Sequence, residues 1–136
     1  LDVSAGVSLE LRAAGNTQAL VDPEQFQQVI WNLLTNATAA AREHPRPDVV
    51  PAVRVTLRTE GRQAQMLVED TGPGVPIELH ENIFEPFFTT RDDGTGLGLA
   101  VSQQLVQACG GTIDASRSAE LQGAAFLVRL RAGTEL

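Results

Sequence analysis

Ile83-Phe-Glu-Pro-Phe-Phe-Thr-Thr-Arg-Asp-Asp-Gly-Thr-Gly-Leu-Gly-Leu-Ala100 sets an aromatic anchor, a polar loop and a glycine-rich helix start in unbroken succession. Gly94, Gly96 and Gly98 carry no Cβ, so the backbone there can come close to a ligand. The apolar positions after them announce a helix, whose first N–H groups lack partners within the helix and favour an anion. That order suits a lid over a polyphosphate. A glycine cluster ahead of a helix is as readily an ordinary tight turn, so the rest of the chain has to decide.

Downstream, the spacing predicts a helix from Thr95 to about Cys109, with Leu97, Ala100, Val101, Leu105 and Ala108 on one side and Gly110-Gly111 as a left-handed cap. Two strands follow, Thr112 to Ser116 and Ala125 to Leu130. Upstream, Phe84, Phe87 and Phe88 are three of the five phenylalanines in the chain, and they read either as core or as the base of the lid. Pro76 to Asn82 reads as a short helical turn with His80 on its wet side, and Asp70-Thr-Gly-Pro-Gly74 as a turn tolerant of unusual dihedrals. Before it, Val53 to Arg58 and Ala64 to Asp70 alternate apolar and polar residues about Gly61-Arg62, an antiparallel pair. Counted by twos, Asp70 falls on the face of Ala64, Met66 and Val68, and a carboxylate aimed at a core needs a partner.

Asp22-Pro23-Glu24-Gln25 supplies an N-cap, a proline at the first helical position and a glutamine placed for a capping box. The helix it opens carries Phe26, Val29, Ile30, Leu33, Leu34 and Ala37 as one stripe and runs to about Arg42. Asn32 and Asn36 lie one turn apart at the edge of that stripe; two such amides are either surface groups or oxygens offered to a hard cation. The loop 43–51, with three prolines and an exposed His44, specifies no chemistry. At the start, Val7, Leu9 and Leu11 alternate as a strand, and 18–21 reads as its hairpin partner across Gly15-Asn16. These elements make a mixed sheet with two long helices on one face, an α+β two-layer sandwich in one domain over residues 1–136. A chain that starts at Leu1 also reads as the C-terminal piece of something longer.

Composition removes rivals. The net charge is −7 and all ten basic residues are arginine, with no lysine. A P-loop and a eukaryotic-type kinase site both need lysine, so neither can be built here. The charge also argues against a general nucleic-acid or anionic-membrane surface. A dinucleotide fingerprint counted from Gly94 needs glycine where Leu99 stands, and a zincin continuing from His80-Glu81 needs histidine where Phe84 stands. Two distant histidines and a lone Cys109 offer no metal cluster and no internal disulfide.

Taken together, Asn32-x-x-x-Asn36, Asp70-x-Gly72-x-Gly74, Phe84 to Phe88 and Gly94-x-Gly96-x-Gly98 resemble, in order, the N, G1, F and G2 boxes of the catalytic ATP-binding domain of bacterial sensor histidine kinases. That domain belongs to the superfamily with a Bergerat-type fold that includes gyrase B, MutL and the anti-sigma-factor kinases. Phe-Glu-Pro-Phe-Phe-Thr-Thr-Arg, followed by a short lid, is similar to the nitrogen-regulatory subgroup. The resemblance implies that Asp70 accepts a hydrogen bond from the adenine amine while Gly72 and Gly74 let the backbone approach the base. It implies Asn36 as the ligand of Mg²⁺ bridging the phosphates of ATP or ADP, and the amides of Gly96 and Gly98 as phosphate donors. Phe84 and Phe87 would anchor the lid, Arg91 would meet the terminal phosphate, and Thr90, Gly94, Thr95, Leu97 and Leu99 would complete the nucleotide contacts. A solvated Arg91 balancing Asp92 and Asp93 is the plain alternative.

Three departures bear on that reading. Ala39 stands where many relatives have a basic residue, Ala124 follows Gly123 where many have threonine, and neither His44 nor His80 sits in the helical context of a phosphoacceptor. Asn32 occupies a position where ATP-hydrolysing relatives carry glutamate, and an amide cannot serve as a base. The expectation is a kinase module in a cytoplasmic setting that delivers a phosphoryl group to a histidine hairpin of the same kinase, in cis or across a dimer. A response regulator would act downstream, with no nucleic acid and no membrane contact by this domain. A nucleotide-responsive binding module without transfer is the alternative.

Overall fold

The computed structural model describes residues 6–13, 15, 17–88 and 97–133; the predicted site residues Thr90, Arg91, Gly94, Thr95 and Gly96 lie outside them. Helix α1 spans Pro23–Glu43. Asp22 caps it, its Oδ1 accepting the amides of Glu24 at 2.9 Å and Gln25 at 3.4 Å. Val29, Leu33, Ala37 and Ala41 are buried along one stripe, as the periodicity requires.

Strands β2 (Ala52–Glu60) and β3 (Gln63–Asp70) pair antiparallel, with Gly61 turning the chain at φ 61°. The chain closes with β4 (Thr112–Arg117) and β5 (Ala124–Arg131), β5 lying between β3 and β4. At the far edge, β1 (Ser8–Ala13) runs parallel to β2 and sets Leu9 beside Val53 and Leu11 beside Val55. The sheet order is therefore β1-β2-β3-β5-β4.

This corrects the expected N-terminal hairpin. The second segment bridges the end of β5 instead, Ala19 pairing with Ala132 while the Leu20 amide donates to the Arg131 carbonyl at 2.9 Å. A parallel pair needs a crossover rather than a tight turn, and α1 supplies it.

Helix α2 spans Gly98–Ala108 and begins one residue after Leu97, later than the predicted Thr95. Its buried positions are Ala100, Ser102 and Val106, whereas Val101 and Ala108 of the predicted stripe face solvent. The α1-facing side of the helix admits Ser102 because its hydroxyl has partners there, a polar exception that hydrophobic spacing cannot register. Gly110 ends the helix at φ 79°, and the Gly111 amide reaches back to the Val106 carbonyl at 3.0 Å.

Helix α1 packs over β2 and β3, α2 packs over β4, and the helices pack on each other. The core between the layers includes Leu33, Val53, Val68, Val106, Phe126 and Val128, each no more than 1% exposed. Phe84, from a 3₁₀ turn at Asn82–Phe84, meets Phe126 edge to face at 6.2 Å between ring centroids. The opposite face of the sheet is charged. Arg54 joins Glu10 and Glu120 there, and Ser118 Oγ donates to Glu69 Oε2 at 2.7 Å.

Candidate active site

Asp70 ends β3 on the core-facing parity and is fully buried. Its Oδ1 accepts the Gly72 amide at 2.8 Å and the Ala124 amide at 3.2 Å. Its Oδ2 is buried and accepts nothing from the described residues. Burial raises the Asp70 carboxyl from an ordinary 3.8 to about 6; the Gly72 and Ala124 amides and the charge of Arg46 oppose that rise. One half of the carboxylate is thus fixed by backbone while the other half is an acceptor still to be matched with a donor.

Close backbone packing frames it. A Cβ on Gly72 would stand 2.9 Å from Ala40 Cβ, Ala40 O and Asp70 Oδ1. A Cβ on Gly123 would overlap Asp70 O and Oδ1, so both positions demand glycine. Gly74 has φ 78° and lies against Gly123. The alanine at 124, where the family pattern suggests a lost polar contact, contributes its main-chain amide to Asp70.

On α1, both hydrogens of the Asn32 side-chain amide are engaged. Its Nδ2 donates to the Gly98 carbonyl and to Ser102 Oγ, both at 3.1 Å, and its Oδ1 accepts from Gln28 at 3.0 Å. Ser102 Oγ also donates to the Gly98 carbonyl, at 2.9 Å. Asn32 therefore ties the long helix to the first turn of α2 and has no atom left for acid–base work. Asn36, one turn on, is half-buried, and its side chain makes no hydrogen bond with the described residues. Leu97 and Leu99 flank the start of α2, Leu99 packed against the core and Leu97 39% exposed.

The aromatic anchor divides differently from the expectation. Phe84 is buried, but Phe87 is 74% exposed, and Phe88 is partly buried against the core cluster that contains Phe84. Phe87 has φ 69°, a left-handed turn that directs its side chain outward. His80 also differs: it is half-buried, with Nε2 2.8 Å from the Val75 carbonyl, because the 3₁₀ turn Ile77–Leu79 curls back over that segment. The loop after α1, silent in sequence, delivers Arg46 to the residues around Asp70.

Among the described residues no three His, Cys, Asp or Glu side chains gather as a metal site. The Asn36 amide oxygen has no hydrogen bond with the described residues. One neutral oxygen fits a magnesium ion that brings its own phosphate and water ligands, and does not fit an all-protein cage.

The family described as histidine kinase-, DNA gyrase B-, and HSP90-like ATPase matches residues 21–134, and the chain belongs to it. It is 37% identical over 125 residues to the sensor histidine kinase ZraS of Escherichia coli, covering 90% of this chain and 26% of ZraS. It is 41% identical over 130 residues to the two-component sensor PprA of Pseudomonas aeruginosa, covering 90% of this chain and 14% of that protein. The chain thus spans about a quarter or less of these curated relatives. Among solved structures, the mycobacterial sensor histidine kinase MprB superposes with a TM-score of 0.78 at 27% identity, over 95% of this chain and 84% of that one. Full-length ShkA in complex with AMPPNP gives a TM-score of 0.81 at 28% identity, over 98% of this chain and 27% of that one. These likenesses extend over both helices and the whole sheet, so the α+β two-layer fold is that of histidine kinase catalytic domains.

Proposed function

We propose that this chain binds Mg-ATP and donates its terminal phosphoryl group to a histidine on a separate helical hairpin of the same kinase, with a response regulator as the next acceptor. The observation that carries the reading is the buried Asp70 Oδ2, which has no partner among the described residues and is set among glycines that bring backbone within contact distance. An adenine amine is a donor of the right type for it, and a flat ring suits a cradle without side chains. The complex of the ShkA neighbour with an ATP analogue supports the same ligand class.

Asn36 would hold the magnesium ion, which neutralises phosphate charge. Arg91 and the amides of Gly96 and Gly98 would complete the phosphate contacts. In the transfer, an imidazole nitrogen bonds to the terminal phosphorus as the bond to the ADP oxygen breaks, and ADP leaves with the electron pair. The chain's own part is to hold the nucleotide in line and keep water out. Asn32, held by hydrogen bonds at both ends of its amide and without a basic atom, favours transfer over hydrolysis.

Incubation with ATP radiolabelled on the terminal phosphate tests this. The chain alone is expected to stay unlabelled and to hydrolyse ATP slowly, whereas a histidine-bearing hairpin from its own kinase, supplied in trans, acquires acid-labile label. Absence of binding heat with Mg-ADP and Mg-ATP would overturn the proposal, as would acid-labile label on this chain itself.

A further inference from the structure

The loop between α1 and β2 spends a whole guanidinium on two neighbouring turns. Arg46 Nε donates to the Thr71 carbonyl at 3.1 Å, Nη1 to Gln122 Oε1 at 3.1 Å, and Nη2 to the Leu121 carbonyl. Thr71 directly follows Asp70, and Leu121 and Gln122 directly precede Gly123, whose amide donates to the Asp70 carbonyl at 3.0 Å. Gln122 is held at φ 69°, a left-handed backbone unusual for a side chain of its size, and its own side chain is one of the three acceptors. The turn is further pinned by the Gln122 amide on the Ser118 carbonyl at 2.9 Å and the Ser118 amide on the Gly123 carbonyl at 2.8 Å.

We infer that Arg46 is a positioning residue for base recognition: its three-pronged grip fixes the Thr71 and Leu121-Gln122 segments so that the Gly72 and Ala124 amides hold Asp70 Oδ1 and leave Oδ2 to the incoming base. The inference rests on Asp70 as the acceptor for the base. Three features carry it. All three prongs end within two residues of Asp70 or Gly123. Gly123 packs against Asp70 so closely that no side chain fits between them. Among the described residues, Arg46 is also the charged group whose field reaches Asp70, and it favours the ionised, acceptor-only carboxylate; the other described groups that bear on Asp70 are the neutral amides of Gly72 and Ala124. The planar fork that serves three acceptors at once cannot be reproduced by an ammonium group.

The test compares binding of ADP and inosine diphosphate, which carries a carbonyl in place of the adenine amine, by calorimetry on the whole chain. Wild type is expected to prefer ADP, and Asp70→Asn to lose that preference. Arg46→Gln is expected to cut the ADP preference about tenfold, as loss of a charge-assisted contact implies, with inosine diphosphate affinity little changed. Arg46→Lys should restore less than half of it. A merely structural arginine would weaken both nucleotides equally, and equal loss, or an unaltered preference, overturns the inference. Should Arg46→Gln fail to fold, Gln122→Gly carries the test: glycine accepts the left-handed backbone while one prong loses its acceptor, and about a twofold fall is expected, one of three contacts being lost. An unchanged preference in a folded Gln122→Gly overturns it as well. If wild type shows no preference, or Asp70→Asn keeps it, the Asp70 reading itself fails, a result distinct from a failure at Arg46.

Discussion

Replacing Asp70 by asparagine should make the nucleotide-free fold more stable at neutral pH while it weakens nucleotide binding. The carboxyl is fully buried and sits at about 6 rather than 3.8, so its ionised form is disfavoured in the fold by about two pKa steps. At about 1.4 kcal/mol per step, keeping it ionised at pH 7 costs the folded state about 3 kcal/mol. The sign follows from proton uptake. Between about 4 and 6 the folded chain holds a proton that the unfolded chain has released, so this contribution falls as pH rises through that window and is level above it. Asparagine keeps an oxygen for the Gly72 and Ala124 amides and carries no charge. Urea denaturation of both proteins from pH 4 to pH 8, without nucleotide, isolates the effect as the difference between the two curves. Asp70→Asn should gain on wild type as pH rises from 4 to 6, reaching an advantage of about 2–3 kcal/mol, since other titrating groups cancel in the difference. With saturating ADP, most of that advantage should vanish, because loss of a buried charged contact costs about 1.5–3 kcal/mol of affinity. A difference curve flat with pH, or a variant less stable than wild type at pH 7 without nucleotide, would refute the reasoning.

Three other outcomes are expected. Asn36→Ala should remove most of the gain in ATP affinity that added Mg²⁺ provides and leave metal-free binding nearly unchanged, as titrations with and without the ion would read. Arg91→Ala should weaken ATP binding more than ADP binding by about 1.5–3 kcal/mol; equal losses would return this arginine to the solvated surface. Phe84→Ala should cost about 3–5 kcal/mol of stability, because a buried ring packed on Phe126 is lost, whereas Phe87→Ala should stay within about 0.5 kcal/mol; chemical denaturation separates the two.

Asp70 was legible in the sequence because strand parity is a local rule: alternate residues from Ala64 put the carboxylate on the buried face, and all four residues of that series are buried. The Asp22 cap and the α1 stripe were legible for the same reason, each being written within a few residues of where it acts. The pairing of β1 was not. Gly15-Asn16 is a good local turn signal, but the partner of β1 is decided by Val53 and Val55 some forty positions on, with a helix between. Ser102 was hidden because its burial depends on Asn32 across the helix pair. Arg46 was hidden because its three acceptors come from segments that sequence cannot bring together. Phe87 looked like its neighbours, and only the positive φ turns it out.

The order β1-β2-β3-β5-β4 also bears on how the protein is made. Strand β5, which follows both of its neighbours in sequence, is inserted between them, not added at a margin, and with it comes the Ala124 amide that helps hold Asp70. During synthesis, then, everything through β4 can have left the ribosome while β3 still presents a bare hydrogen-bonding edge and Asp70 lacks that amide. Such an edge invites pairing with another chain. Closure must wait for contacts of long sequence separation, a slow class of event. A nascent chain stalled short of Ala124 would have both helices and most of the sheet, yet no formed site, and would be a natural client for a chaperone that shields unpaired strands.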